Sequence, residues 1–427
     1  MLTYALIGEK LGHSFSVPIH AAFGNPEYVL KEIPREGLDA FLTEKNFLGL
    51  NVTIPYKQDV MPYCVLDDAA KEIGAVNTIV NKNGTLYGSN TDAYGLSKMM
   101  DRALGVENAD FSGKNAVILG SGGTAKTASY VLKEKHASKI TVLARNTEKA
   151  KAVMAGKDVE VLPIHSIGSD IYKNTEILVN TTPVGMFPHA DEMPVGLDSF
   201  TNLKGVFDVI YNPLCTKLVA QAAKRGIPAA NGLYMLVMQA LKAEVLFGKN
   251  PQSMDGERVE RDLYKNLQNI VLIGMPGSGK STLGKALAES MKRGFVDTDE
   301  EFIKEHGITP GACIEKFGEE IFREKEMQTV RRISLLNHMV IATGGGVVTR
   351  PVNVDALKQN GKVVYIKRDI RNLSSEGRPL SMGEGAIEAL YEKRKSLYES
   401  AADVIYEIKE GDVKGCVEEI RALCITD

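Results

Sequence analysis

Two glycine-rich turns and a small set of charged side chains carry the chemistry that this sequence could perform. The stretch GMPGSGKST, residues 274–282, reads G-x-x-x-x-G-K-S, follows the apolar run NIVLI and precedes the helical pattern LGKALAESM. In such a loop, successive backbone N–H groups and a helix N-terminus form a concave site for phosphates. The pattern predicts that Lys280 reaches the β- and γ-phosphates of a nucleotide and that Ser281 ligates Mg²⁺.

The second glycine turn follows the apolar run NAVILG and reads G-x-G-x-x-A at Gly120, Gly122 and Ala125. This is a form of the dinucleotide-binding pattern, in which the glycines allow a tight turn and a close approach to a pyrophosphate. The next apolar run, KITVLAR, ends at Arg145, where an NAD site usually has an acidic residue. Arginine suits a 2′-phosphate, so the pattern favours NADP. The alternatives are a structural turn and a solvated arginine.

Two charged residues of the first half could handle a proton. Lys57 follows Pro55 at a strand end, and Asp92 lies in a polar Asn-Thr-Asp loop. If they met, they could hold and protonate a forming alkoxide. The hydroxyls of Ser14 and Ser16 could bind a carboxylate. On pattern alone, surface charges are the better explanation of Lys57 and Asp92, and turn-forming serines are the alternative for Ser14 and Ser16.

The last third of the chain contains a further set of polar residues. Asp297 and Asp299 are two positions apart at a strand end, so their side chains share one side of the strand. One could hold Mg²⁺ and the other could bind an acceptor hydroxyl, although an acidic first turn of a helix gives the same pattern. The remaining candidates are Arg323 and Glu326 one helical turn apart, Gly344 to Gly346 at a strand end, Arg378 and Arg394.

Short β-rich runs alternate with helical patterns along the chain, which predicts parallel sheets covered by helices. A length of 427 residues predicts two to three domains. The polar segment GKNPQSMDGERVERDLYKN, residues 248–266, separates an apolar helix from a new strand and is the best boundary. We found no internal repeat.

Composition excludes several classes of protein. The net charge of −3 gives no reason to expect nucleic acid or an acidic membrane as a partner. Five scattered cysteines form no C-x-x-C pair, which favours reduced thiols over a disulfide framework or a zinc site. There is neither a signal-peptide pattern nor an apolar run of membrane-spanning length. We therefore expect a cytoplasmic protein.

The motifs around the first glycine turn resemble those of the shikimate dehydrogenase family over residues 1 to about 255. They occur in the family's order and are LIGEKLGHSFSVPIH, GLNVTIPYKQ, GAVNTIV, SNTDAYGL, NTTPVGM and NGLYMLVMQ. The resemblance implies that NADPH reduces 3-dehydroshikimate to shikimate, with Lys57 and Asp92 as the catalytic pair. It places the substrate site on Ser14, Ser16, Thr53, Asn77, Tyr211 and Gln239. It places the cofactor site on Gly120, Ser121, Gly122, Gly123, Arg145 and Gly232. Ala144 replaces the asparagine that usually precedes the arginine in the family.

The motifs from residue 268 to 427 resemble those of the shikimate kinase family. They are the phosphate loop, DTD, FRxxE, GGG, RPL and KRxxLY. The resemblance implies that ATP binds Gly277, Ser278, Gly279, Lys280, Ser281 and Thr282, with Mg²⁺ on Ser281 and Asp297. It places shikimate on Asp299, Arg323, Gly345, Gly346 and Arg394, and it makes Arg378 a lid residue that neutralises the transferred phosphoryl group. The lid is short, and an arginine that stacks on adenine is not evident, Arg371 being one candidate.

Together the resemblances predict a bifunctional enzyme with three α/β domains. We expect a substrate-binding domain at 1–100 with returning helices at 231–255, a Rossmann NADP domain at 101–230, a linker at 256–267 and a P-loop kinase domain at 268–427. The kinase domain would phosphorylate the hydroxyl that the two dehydrogenase domains create. The alternatives are a quinate/shikimate dehydrogenase joined to a kinase of another small polyol, and a metabolite-sensing regulator without catalysis. The oligomeric state is open.

Overall fold

The computed structural model of the protein describes residues 2–12, 14–166, 168–373, 386–408 and 412–425. The chain forms two compact units, residues 1–211 with 216–263, and residues 264–427 with 212–215. No helix in these ranges is long and apolar enough to cross a membrane.

The first sheet of the first unit is mixed. Its strands are β1 (Leu2–Gly8), β2 (Tyr28–Glu32), β3 (Phe47–Val52), β4 (Val65–Leu66), β5 (Thr78–Lys82) and β6 (Thr85–Ser89). Their order is β2-β1-β3-β5-β6-β4, with β1 parallel to β2 and β3, and β5 antiparallel to β3 and β6. Helices α1 (Ser16–Ala22), α2 (Leu38–Glu44), α3 (Asp68–Ile73) and α4 (Thr91–Ala103) belong to this part of the chain. Alternate apolar residues of β3 and β5, such as Leu50 and Ile79, are fully buried in its core.

The second sheet of the first unit is entirely parallel. Its strands are β7 (Asn115–Leu119), β8 (Lys139–Ala144), β9 (Glu160–Pro163), β10 (Thr175–Asn180), β11 (Gly205–Asp208) and β12 (Ala229–Ala230). The order β12-β11-β10-β7-β8-β9 is that of a Rossmann sheet, whose strand order reverses between β7 and β10. Its helices are α5 (Gly123–Glu134), α6 (Thr147–Val153), α7 (Ser169–Asn174) and α8 (Lys217–Lys224). Dinucleotides bind such sheets at the strand ends beside the reversal, where Gly120 and Thr181 lie.

Helix α9 (Leu233–Leu246) returns to the first part of the chain and packs on α4. A methyl group added at Gly95 would lie 2.4 Å from the Met235 carbonyl oxygen, so glycine permits this close approach. The predicted return of the helix that bears Gln239 is therefore observed.

Residues 256–267, for which we predicted a linker, form helix α10 (Gly256–Leu267). Val259, Leu263 and Leu267 recur every four residues and are buried, so this polar segment has one apolar face. The division into functional domains given above stays a prediction.

The second unit contains one parallel sheet. Its strands are β13 (Asn269–Ile273), β14 (Gly294–Asp297), β15 (Met339–Ala342), β16 (Gly361–Lys367) and β17 (Val404–Glu407), in the order β14-β15-β13-β16-β17. Its helices are α11 (Lys280–Met291), α12 (Thr298–His306), α13 (Pro310–Phe317), α14 (Glu319–Ser334), α15 (Pro351–Asn360), α16 (Ala386–Ala401) and α17 (Val413–Ile425). Because all strands are parallel, the loops that follow them meet at one edge of the sheet. The α/β prediction is confirmed, and the prediction of parallel sheets holds for the second and third sheets, whereas the first sheet is mixed because β5 runs antiparallel to β3 and β6.

Candidate active sites

An ion pair joins two of the residues predicted to be catalytic. Lys57 lies in the turn after β3, and Asp92 lies in the first turn of α4, whose N-cap is Asn90. The Lys57 Nζ atom is 2.7 Å from Asp92 Oδ2, and the two side chains are 32% and 20% exposed. The ammonium group is held by the carboxylate yet remains in contact with solvent, as a proton donor to a ligand requires.

A buried hydrogen-bond cluster lies directly beside this pair. Asn77 accepts a bond from the Thr91 backbone N–H at 2.7 Å and donates one to Thr91 Oγ1 at 3.0 Å. Thr91 Oγ1 in turn lies 3.4 Å from Gln239 Oε1. The structure therefore brings Asn77 and Gln239 together, and the joining residue, Thr91, was missed by sequence reasoning. Its position in the sequence, directly before the predicted catalytic Asp92, could have indicated that Thr91 belongs to the site.

The serine loop and the predicted substrate tyrosine also meet. Ser14 Oγ lies 3.1 Å from Ser16 Oγ, at the start of α1. Phe15, between them, makes an edge-to-face contact with Tyr211 at 5.9 Å between ring centroids. Burial raises the pKa of Tyr211, which keeps its hydroxyl protonated as a hydrogen-bond donor. Thr53 is anchored at the strand ends by a backbone bond to the Ile7 carbonyl.

The N-terminus of α5 offers an open surface to a dinucleotide. Gly120 has φ +96°, a conformation that favours glycine, and it lies against Thr181 and Thr182. No atom lies within 4 Å of a methyl group added at Gly122 or Gly123, so a phosphate can approach this backbone. Ser121 lies between Gly120 and Gly122 and is half-buried.

The other two cofactor residues differ from each other in their surroundings. Arg145 follows β8, is exposed, and has no ion pair within the described ranges, so it could meet a 2′-phosphate. Asn146 next to it caps α6 by accepting a bond from the Lys149 N–H. At Gly232 an added methyl group would lie 2.0 Å from the Val209 carbonyl oxygen. Close packing of the backbone by itself requires glycine there.

The phosphate loop of the second unit takes up the conformation that its glycines permit. Gly274, Gly277 and Gly279 have φ values of +148°, +80° and +90°. Lys280 Nζ donates to the carbonyl oxygens of Gly274 and Met275 at 2.9 and 2.8 Å. Its ammonium group is thus folded over the loop, and the backbone of residues 277–282 forms a phosphate cradle. Ser278 is fully buried in this loop.

The residues predicted to hold magnesium are in contact. Ser281 Oγ lies 2.6 Å from Asp297 Oδ2, and Asp297 Oδ1 accepts a bond from the Asp299 N–H at 2.9 Å. Within the described ranges there is no cluster of three or more acidic, histidine or cysteine side chains that could enclose a metal. A hydroxyl and one carboxylate beside a phosphate loop nevertheless fit Mg²⁺, which is usually bound by one or two carboxylates together with nucleotide phosphates.

Two buried arginines face the glycines that follow β15. Arg394 Nη1 donates to the Gly345 carbonyl oxygen at 3.0 Å. Arg323 Nη1 lies 2.8 Å from Glu326 Oε2, and a methyl group at Gly346 would lie 2.2 Å from Arg323 Nη2. Glycine is therefore required for the guanidinium to lie against this loop. Sequence reasoning gave Glu326 no role, although its spacing from Arg323 was visible.

These groups line one cavity of about 770 Å³. Among its lining residues are the predicted Gly277, Gly279, Lys280, Ser281, Thr282, Asp297, Asp299, Arg323, Gly345, Gly346 and Arg394. Arg368 also lines it and was missed. The predicted lid residue Arg378 lies outside the described residues.

Arg371, our candidate for stacking on adenine, is exposed and binds Asp369 with two nitrogens. Hydrogen bonds from Arg371 lower the pKa of Asp369 to about 2. This arginine is therefore held in a local ion pair.

Comparison with known proteins matches each part of the chain to a family. The family model described as shikimate dehydrogenase substrate binding domain matches residues 6–79, that of shikimate/quinate 5-dehydrogenase matches 103–186, and that of shikimate kinase matches 276–424. A shikimate dehydrogenase (NADP⁺) of Clostridium perfringens is 37% identical over 284 residues, which are 63% of this chain and 99% of that protein.

Solved structures agree with this match. A chorismate mutase/shikimate 5-dehydrogenase fusion protein from Clostridium acetobutylicum is 35% identical with a TM-score of 0.53, covering 61% of this chain and 96% of that one. A quinate dehydrogenase from Corynebacterium glutamicum in complex with NAD is 28% identical with a TM-score of 0.54, covering 61% and 98%. The chain belongs to the shikimate dehydrogenase family and carries a shikimate kinase domain at residues 276–424.

Proposed function

We propose that the chain catalyses two consecutive reactions. The first unit reduces 3-dehydroshikimate to shikimate with NADPH, and the second unit phosphorylates the new 3-hydroxyl with ATP and Mg²⁺. The observation that carries this proposal is that both sets of reacting groups are assembled in one chain. The Lys57–Asp92 pair is formed in the first unit, and Lys280, Ser281 and Asp297 line one cavity with Arg323 and Arg394 in the second.

In the dehydrogenase reaction, NADPH supplies the hydride when it is bound. Lys57 gives a proton to the substrate oxygen as the carbonyl becomes a hydroxyl, and Asp92 orients the ammonium group through the 2.7 Å contact. Thr53, Asn77 and Gln239 bind the ring hydroxyls, the last two being joined through Thr91. Ser14 and Ser16 bind the carboxylate, and Tyr211, which contacts Phe15 between them, completes the substrate site. These roles are proposals that rest on the contacts described above and on the family motifs.

The cofactor assignment follows from the open N-terminus of α5 and from Arg145. Gly120, Ser121, Gly122 and Gly123 would face the pyrophosphate, and Arg145 would bind the 2′-phosphate through charge-assisted hydrogen bonds. The curated relative named above is NADP-dependent, whereas the similar quinate dehydrogenase was solved with NAD. The exposed Arg145 favours NADP in this chain.

In the kinase reaction, Mg²⁺ would neutralise phosphate charge when it is held by Ser281 and Asp297. Lys280 can turn from the Gly274 and Met275 carbonyls to the β- and γ-phosphates. Asp299 orients the attacking hydroxyl. Arg323 and Arg394 fix the substrate carboxylate above Gly345 and Gly346, so the reacting atoms are aligned by fixed charges.

Two alternative functions, a quinate dehydrogenase and a regulator without catalysis, can be compared with this proposal. Similarity to a quinate dehydrogenase means that the fold admits quinate, so the substrate must be tested directly. A regulator without catalysis would be expected to lack some of Lys57, Asp92, Lys280, Asp297 and Asp299, and all five are present.

A one-pot reaction tests the proposal. The purified chain is supplied with 3-dehydroshikimate, NADPH, ATP and Mg²⁺, and products are identified by mass spectrometry. We expect NADPH oxidation and the appearance of shikimate 3-phosphate. Oxidation that ends at shikimate would contradict the kinase function. Control reactions replace NADPH by NADH, or offer quinate as the substrate to be oxidised. The absence of turnover in all of these reactions would contradict the dehydrogenase function.

A further inference from the structure

Arg368 is a cationic lining residue of the kinase cavity whose charge the proposed mechanism leaves unused. It follows β16, the strand adjacent to β13, from which the phosphate loop begins. Ile273 is paired with Tyr365 in this ladder, and a methyl group at Gly274 would lie 2.5 Å from the Ile366 carbonyl oxygen. The end of β16 is therefore fixed against the start of the loop, and Arg368 projects from a rigid position.

The guanidinium group of Arg368 lies over the loop itself. Its Nη1 atom is 3.8 Å from a methyl group built on Gly279, the residue that precedes Lys280. The same residue lines the cavity together with Gly277, Gly279 and Thr282. The backbone N–H groups of this loop can hold phosphate oxygens, so the guanidinium and the N–H groups can reach the same anion.

Arg368 has no protein partner in the part of the chain that the structure describes. No carboxylate forms an ion pair with it there, and its Nε atom is buried without a hydrogen bond, although the residue as a whole is half-buried. A half-buried cation beside a positive loop is unfavourable unless an anion is bound. Arg371, three residues further on, shows the contrast, because Asp369 already neutralises it.

We infer that Arg368 binds the polyphosphate of the nucleotide and is a further substrate-binding residue of the kinase site. The inference rests on the proposed kinase function. Arg368 supplies a positive charge from the β16 side of the phosphate loop, whereas Arg323 of α14 and Arg394 of α16 face the glycines that follow β15. A guanidinium over Gly279 contacts phosphate rather than the base, because the backbone N–H groups at this point are those that hold phosphate.

Calorimetric binding of Mg²⁺-ADP and of adenosine to the full chain tests the inference. We expect Arg368→Gln to bind ADP about tenfold more weakly, since it loses a charge-assisted contact, and to bind adenosine as the unsubstituted chain does. Arg368→Lys should recover part of the ADP affinity. Arg421→Gln, at an exposed arginine on α17, is the matched control and should bind ADP normally, and thermal unfolding should show that all variants are folded.

Two results would overturn the inference while leaving the kinase function intact. One is an unchanged ADP affinity in Arg368→Gln. The other is an equal loss of ADP and adenosine affinity, which would place the guanidinium on the base. Failure of the unsubstituted chain to bind ADP would contradict the proposed kinase function, and the inference with it.

Discussion

In the dehydrogenase site the side chains of Lys57 and Asp92 remain 32% and 20% exposed, whereas in the kinase site those of Arg323 and Glu326 are only 5% and 6% exposed. Lys280, Asp297 and Arg394 are also buried. The first site thus has one partly solvated ion pair. The second has a cluster of buried charged residues that line its cavity.

The difference follows from the two reactions. Hydride transfer leaves the protein one proton to deliver, and a solvated lysine can regain that proton from water. Phosphoryl transfer leaves the protein little covalent chemistry, so fixed charges in a dry site must stabilise the transition state. Charge interactions are stronger where water is excluded, so each charge of the second site should matter more.

The largest effect is expected at Lys280. Lys280→Met should lower the kinase kcat by a factor on the order of 10³–10⁵, the range of a cation that stabilises a transferring phosphoryl group. Coupled detection of ADP measures the rate, with shikimate supplied. Lys285→Met is the matched control, because Lys285 lies on the same helix and is 59% exposed. A decrease of the kinase kcat by less than about tenfold would contradict the role assigned to Lys280.

Lys57→Met should have the next largest effect. Removal of a general acid costs on the order of 10²–10⁴ in rate, so NADPH oxidation should fall by that factor. Phosphorylation of added shikimate should be unchanged, which separates the two sites. Lys71→Met, at a side chain that is 60% exposed, is the control. A parallel loss of both activities would show that the variant has damaged the whole chain instead.

The convergence of the kinase residues could be predicted, since parallel strands end at one edge and the motifs follow strands. Lys280, Asp297 and Gly345 accordingly line one cavity. Which particular side chains pair with one another could not be predicted. Sequence spacing does not show that Thr91 joins Asn77 to Gln239, or that Asp369 engages Arg371 and leaves Arg368 to face the loop.

The structure adds a physical reason to two further predictions, which both stay predictions. Residues 256–267 were assigned to a linker on their polar composition, although Val259, Leu263 and Leu267 recur with the period of a helix. Gly232 was assigned to the cofactor on its motif, but the backbone of Val209 approaches it so closely that packing also demands glycine. Periodicity was present in the sequence, whereas the approach of Val209 depends on tertiary structure.

Buried carboxylates give a third way to test the contrast between the units. Glu326 in the kinase site faces Arg323, whereas Asp208 in the first unit is fully buried among neutral donors, the Asn180 amide, the Ile210 N–H and the Thr216 hydroxyl. Burial raises the pKa of Asp208 from 3.8 to about 6. Its ionisation therefore destabilises the folded state by roughly 3 kcal/mol, about a hundredfold in the unfolding equilibrium.

The sign of the pH dependence follows from this raised pKa. The contribution of Asp208 to stability is fully present below pH 3.8 and is lost as the pH rises to about 6. Asp208→Asn should therefore gain stability relative to the unsubstituted chain between about pH 4 and pH 6 and keep that gain at pH 7. Urea unfolding of the first unit at several pH values measures this. A difference that does not change between pH 4 and pH 7 would show that folding does not raise the pKa of Asp208.

The smallest effect is expected at Arg145, which is the most solvated of these charges. Arg145→Ala should lower kcat/KM with NADPH about tenfold, because one partly screened, charge-assisted contact with the 2′-phosphate is lost. With NADH, which lacks that phosphate, kcat/KM should not change. Lys151→Ala, at an exposed lysine on α6, is the control and should leave both values unchanged. An equal loss with both cofactors would mean that Arg145 supports the loop rather than reading the phosphate. The ratio of the two cofactors therefore distinguishes a binding charge from a structural one, even though the single contact is weak.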